Sequence, residues 1–223
     1  MSEAQVAENR KQVEAIAPQA SVLYEVGDAT DILATAPDAD FVFSCPPYGD
    51  LERYSDDPLD ISTMTYEKFL AAYRAIVSLA VGRLRDNRFA CFVVGDFRDK
   101  GGLYRNFPGD TVAAFRDAGV ALYNEAVLVT SLGSLPIRVG KQFTSGRKLG
   151  KTHQNVLVFI KGDVKKTVEA CGPIEIPTSL GEDSGKLGPI EEHGGYRVKR
   201  CDKYIVGGAI GGKAKTCWVL AQG

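Results

Sequence analysis

A chain of 223 residues, 44% hydrophobic and 25% charged, is long enough to bury one core of ordinary size. Its net charge of -1 excludes a globally basic nucleic-acid binder, so any polyanion site must come from local clustering. Five cysteines, an odd number with no CxxC pair, argue against a disulfide framework or a zinc site and suit a reducing cytoplasm. The start, MSEAQVAENRKQ, is too charged for a signal peptide, and no apolar run reaches membrane length, so no membrane partner is expected.

Ser2 followed by Gln5 resembles a capping box, and Val6, Val13 and Ile16 form a helical stripe that stops before Pro18. Ser21 to Val26 reads as a strand closed by Gly27 and Asp28. Asp40 to Ser44 is a short apolar strand of the kind buried in parallel sheets. Phe69, Tyr73, Ile76, Val77, Ala80 and Leu84 mark a long amphipathic helix capped near Thr65. Phe89 to Gly95 is a further buried strand, and Asp110 caps a helix that ends at Gly119. Ala121 to Thr130 and Gln154 to Ile160 are the last strands of this region. Strands alternating with helices predict an α/β fold with a largely parallel sheet. Residues 1–163 form this domain. Residues 164–195, rich in Gly, Pro, Ser and acids, read as a linker or loosely ordered segment. Residues 196–223 read as a strand, a glycine-rich turn and a helix start.

The chemistry concentrates at FVFSCPPYGDLERYSDD. Two prolines cannot continue a sheet, and they force the preceding residue into extended geometry. The strand therefore ends in a stiff ledge at its carboxyl end, where open α/β sheets bind ligands. Cys45-Pro46-Pro47-Tyr48 resembles the catalytic motif of amino-directed DNA methyltransferases, which reads Asp, Asn or Ser, then Pro-Pro, then an aromatic residue. The resemblance covers residues 1–163 and is nearest to methylase domains of phages and prophages, with a setting in restriction-modification or in larger fused polypeptides.

The resemblance implies a Rossmann-like S-adenosylmethionine-dependent methyltransferase sheet. It implies methyl transfer from S-adenosylmethionine to the exocyclic amine of a flipped adenine or cytosine in double-stranded DNA, in the cytoplasm of a bacterial or phage-infected cell. Acceptors at the first motif position and at a proline-region carbonyl would bond the amine, and Tyr48 would stack on the base. Gly27 and Asp28 would meet the adenine of the cofactor. Asp28 reads equally as a helix cap. Cys45 departs from the pattern, because a thiol is a weak acceptor, and Ser44, one residue early, points to the other face by strand alternation. A covalent role for Cys45, as in methylation at cytosine carbon 5, is disfavoured because those enzymes place Cys after Pro.

No acidic residue occurs between Ala126 and Gly162, while Arg138, Lys141, Arg147, Lys148 and Lys151 do, separated by glycines. This reads as a flexible cationic loop for DNA phosphates, or else as a solvated loop. His153 reads as structural, and no metal is indicated. The family's glycine-rich cofactor turn is not found ahead of the first helix, so the sheet is expected to lack its first two strands, and a further segment or chain would complete it. The ending VKRCDKYIVGGAIGGKAKTCWVLAQG resembles the opening of tryptophan-synthase-beta-type enzymes, with Lys213 in the place of the lysine that holds pyridoxal phosphate in a longer polypeptide. A glycine-rich hairpin with a surface lysine is the plain alternative. The alternatives for the whole chain are a catalytically incomplete DNA-binding methylase remnant, a fragment of a fused methylase and pyridoxal-phosphate polypeptide, or action on RNA or a free nucleotide.

Overall fold

The computed structural model describes residues 3–51, 60–130, 135–173, 190–193, 196–199 and 218–221. The chain divides into two compact units, residues 1–170 with 215–223, and residues 171–214. The first unit is a mixed α/β sheet. Its strands are β1 (Ala39–Ser44), β2 (Leu84–Val94), β3 (Ala121–Val129), β4 (His153–Lys161) and β7 (Trp218–Ala221), in the order β3-β4-β2-β1-β7. Helices α1 (Glu3–Ile16), α2 (Ala29–Thr35), α3 (Tyr66–Arg83), α4 (Phe107–Asp117), α5 (Leu135–Gly146) and α6 (Val164–Cys171) lie between and around them. In the second unit, β5 (Ile190–His193) and β6 (Tyr196–Lys199) form an antiparallel hairpin.

One parallel pair sets the architecture. β1 runs beside β2, and α3 makes the crossover that a parallel connection requires. β4 and β3 add antiparallel strands beyond β2, and β7 is antiparallel to β1, so the described sheet is not the largely parallel one expected. Val42, Ala90, Phe92, Leu157 and Phe159 share one sheet face, as the period-2 alternation dictates, and all are buried. Against that face lies the apolar stripe of α3, with Phe69, Tyr73, Ile76, Val77 and Ala80 buried as their spacing predicts. Phe115 of α4 stacks on Phe159 at a centroid distance of 3.8 Å and meets Phe92 edge-on at 4.7 Å.

Polar groups fasten the ends of these elements. Lys161 Nζ donates to the carbonyls of Val81 and Leu84, satisfying orphan acceptors where α3 stops. Arg83 donates to the carbonyls of Leu33 and Ala34 and ties α2 to α3. Tyr73 Oη and Thr111 Oγ1 form a fully buried pair at 3.2 Å.

Several expectations are corrected. Ser21 to Val26 form no strand; Leu23 is 81% exposed. A strand needs a neighbour, and the free edge of β1 is paired antiparallel with β7 instead. Trp218–Ala221, expected near a helix start, are that strand. The cationic stretch is not all loop, because Leu135 to Gly146 form α5; Leu135, Val139 and Phe143 recur every four residues. Gly150 folds back against this helix, so closely that a Cβ there would lie 2.6 Å from Val139 Cγ2. Helix α4 begins at Phe107, three residues before Asp110, because Pro108 suits a first turn. Val164 to Cys171, assigned to a linker, are helical.

Phe115→Ala is expected to cost about 3–5 kcal/mol, because it removes both ring contacts and leaves a cavity between helix and sheet. Urea denaturation of the folded chain checks this.

Candidate functional site

The ledge forms as its residues dictate. β1 ends at Ser44, Cys45 is exposed, Pro46 and Pro47 are buried, and Tyr48 is half-buried. The buried prolines fix the chain direction with no amide hydrogen to satisfy. Ser44 and Cys45 point to opposite faces, as alternation predicts. Ser44 is fully buried, and its hydroxyl has no hydrogen-bond partner among the described residues. Cys45 shares a face with Cys91 of β2, whose thiol is pushed up by burial first and by the nearby Cys45 second.

Tyr48 is held from three sides. Gln154 Nε2, at the start of β4, donates to its hydroxyl at 2.5 Å. Phe97 lies tilted at 6.0 Å, and Phe107 meets the ring edge-on at 6.0 Å. Gly95 at the end of β2 passes beside the hydroxyl, where a Cβ would come within 3.5 Å of it. Tyr48 thereby becomes a wall of a cavity of about 200 Å³, lined also by Asp96, Phe97, Lys151, His153 and Gln154. This is smaller than the roughly 300–1,000 Å³ of drug-sized ligand pockets and suits one flat ring system. It opens at the carboxyl ends of the strands bearing the ledge. Asp96 is rigid there, since its Oδ1 accepts from the amides of Phe97 (2.9 Å) and Phe107 (3.2 Å).

Of the residues singled out in the sequence, Tyr48, Lys151 and His153 come together at this cavity, whereas Cys45, Pro46 and Pro47 do not line it. Gly27 and Asp28 line neither it nor a second, larger cleft. Asp28 caps α2, accepting from the Thr30 amide at 2.7 Å and its hydroxyl at 2.5 Å. The Thr30 hydroxyl, then its amide, hold the Asp28 carboxyl below its ordinary 3.8. Lys141 is exposed on α5, and Arg138 lies on the same helix. Arg147 caps that helix: its guanidinium donates to the Phe143 and Thr144 carbonyls. Lys148 reaches across to Gly102. Lys213 and the glycine-rich turn lie outside the described residues. Asp96 and Gln154 were not legible as site residues; the one signal was their position at strand ends that the assembled sheet aligns with the ledge. Among the described residues, no cluster of three or more His, Cys, Asp or Glu could hold a metal, and no helix is long and apolar enough to cross a membrane.

No protein-family model matches the sequence, and no curated protein matches it. Solved structures do resemble it. A protein of Thermus thermophilus, provisionally assigned as a DNA modification methylase, is 20% identical over 71% of this chain and 57% of that one, with a TM-score of 0.45. The same protein complexed with S-adenosyl-L-methionine matches at 21% identity, 71% and 60% coverage and a TM-score of 0.45. The cytosine-N4-specific PvuII DNA methyltransferase matches at 14% identity, 66% and 54% coverage and a TM-score of 0.45. The chain spans less than two thirds of each. Overlap this partial says nothing of chemistry, which only the residues at the ledge can specify.

Two outcomes are expected. Ser44→Ala should raise stability by about 1 kcal/mol, because it removes a buried hydroxyl with an unmet hydrogen bond; a denaturation midpoint checks it. Asp28→Ala should cost about 1 kcal/mol at neutral pH as a lost helix cap. The folded pKa of Asp28 is depressed, so its contribution is present above 3.8 and is lost as pH falls through the lower folded value. The gap between wild type and variant should therefore close in acid.

Proposed function

We propose that this chain carries the base-acceptor face of an amino-directed DNA methyltransferase, transferring a methyl group from S-adenosylmethionine to the exocyclic amine of a flipped adenine or cytosine. The observation that carries the reading is Tyr48: a ring braced by Gln154, Phe97 and Phe107 at the wall of a ring-sized cavity, directly after a buried Pro-Pro ledge. An exocyclic amine is a poor nucleophile because its lone pair is delocalised into the ring. Acceptors for both N–H groups favour the pyramidal nitrogen of the transition state over the planar ground state. Backbone carbonyls of the ledge, adjoining the cavity wall at Tyr48, would offer one acceptor. The Cys45 thiol is weak in the other role. Asp96 compensates: its carboxylate lines the cavity, and its second oxygen carries neither of the two amide bonds that fix the first.

S-adenosylmethionine would supply the methyl group. Asp28 suits its adenosyl end, being an ionised, exposed carboxylate with one oxygen on Thr30. A second reading, a DNA-binding remnant without activity, draws on Asp28 serving as a helix cap and lining neither cavity. Calorimetric titration of S-adenosylmethionine separates the two: binding lost in Asp28→Ala favours the enzyme, and no binding by the folded chain favours the remnant.

Transfer of a labelled methyl group from S-adenosylmethionine to DNA, followed by nucleoside digestion, tests the activity. Methyl-N6-adenine or methyl-N4-cytosine is expected. Tyr48→Ala should lower the rate about 10- to 100-fold, in line with the roughly 1–3 kcal/mol of a base–aromatic stack. Tyr48→Phe should stay within a few-fold. A rate indifferent to Tyr48, or methyl on cytosine carbon 5, would sink the proposal.

A further inference from the structure

The segment RDKGGLYR, Arg98 to Arg105, was not singled out as functional by its sequence. We infer that this hairpin, with Lys148 laid against it, is a contact surface for the phosphate backbone of duplex DNA beside the Tyr48 cavity. The inference rests on the proposed DNA substrate and adds the surface that would grip it.

The hairpin is built rather than loose. Arg98 and Tyr104 form an antiparallel bridge, and the Asp99 amide donates to the Leu103 carbonyl at 2.8 Å. The Gly102 amide donates to the Asp99 carbonyl, and the Leu103 amide to Asp99 Oδ1 at 2.9 Å. Gly102 sits at φ +87°, a left-handed turn that glycine adopts without strain. The Arg98 guanidinium covers the Tyr104 ring at 3.9 Å and donates to the Gly102 carbonyl at 2.8 Å. A surface fixed in this way loses little entropy on binding.

Its charge is net positive. Lys100 is exposed at the tip, and Lys148 brings its Nζ to within about 3.0 Å of where a Gly102 Cβ would stand. The hairpin's one acid, Asp99, already spends an oxygen on Leu103. Leu103 is 71% exposed and Tyr104 47% exposed, so apolar and aromatic surface alternates with cations, as surfaces that meet bases and phosphates together do. The base of the hairpin is Phe97, itself a wall of the Tyr48 cavity, so phosphates flanking an everted nucleotide would pass here. The tip also borders a cleft of about 440 Å³, lined by Asp99, Lys100, Gly101 and Arg105 of the hairpin and by Glu67. The Glu67 carboxyl is held below its ordinary value, first by its own amide and then by the Thr65 hydroxyl. That acid repels a phosphate inside the cleft, which leaves the outer surface of the tip, where Lys148 meets Gly102, as the favourable side.

Binding of the whole chain to a labelled duplex of mixed sequence, measured by anisotropy across a salt series, tests this. Each phosphate contact contributes about 0.9 to the slope of log K against log salt. Lys100→Ala with Lys148→Ala should lower the slope by about 1.8, with the thermal midpoint unchanged. Lys165→Ala with Lys166→Ala, on α6, should leave it unaltered. If wild type binds the duplex and the Lys100 and Lys148 pair leaves the slope unchanged, the hairpin assignment is overturned while the DNA reading stands. If wild type does not bind the duplex at all, both fall.

Discussion

Proline has no amide hydrogen, and two in succession end a strand absolutely. Pro46 and Pro47 stop β1 at the carboxyl edge of the sheet and bury themselves there. Every feature of the candidate site follows from that stop. Because β1 ends where it does, Tyr48 emerges level with the end of β2 and the start of β4, and Gly95, Asp96 and Gln154 can converge on it. Because the stop is rigid, Tyr48 is presented where the Gln154 amide and the rings of Phe97 and Phe107 meet it.

The fold was legible where one physical force dominates. The stripe of α3 and the continuous apolar runs of β2 and β4 report burial directly, and burial is what the structure shows. It was less legible where pairing decides. Ser21 to Val26 has strand composition, but a strand exists only against a neighbour, and β7 holds the available edge of β1. Trp218 to Ala221 is separated from β1 by nearly the whole chain, so nothing local announces that pairing. Helix α5 was hidden by glycines and by positive charge, although Leu135, Val139 and Phe143 carried its period.

The candidate site divides in the same way. The ledge was visible because prolines act locally. The direction of Ser44 away from the ledge was visible because alternation is geometric, and its buried hydroxyl bears this out. Asp96 and Gln154 were not visible, since a carboxylate and an amide at strand ends acquire meaning only when the sheet is assembled. Arg147 shows the reverse: a cation assigned to phosphates spends part of its guanidinium on the carbonyls that close α5. Local charge counts are therefore a poor guide to which cations face a ligand. The Arg98 hairpin, which displays Lys100 on a fixed turn beside Lys148, is the better-defined surface.

The central claim is that the space beside Tyr48 receives a nucleobase. The most direct test is the side-chain amide resonance of Gln154 in an NMR titration with deoxyadenosine and with deoxycytidine. A base seated against Tyr48 must perturb the amide bonded to its hydroxyl. A saturable shift with one nucleoside, absent in Tyr48→Ala, is the expected result. An unmoved Gln154 amide in an otherwise well-dispersed spectrum, at nucleoside concentrations into the millimolar range, would contradict the account.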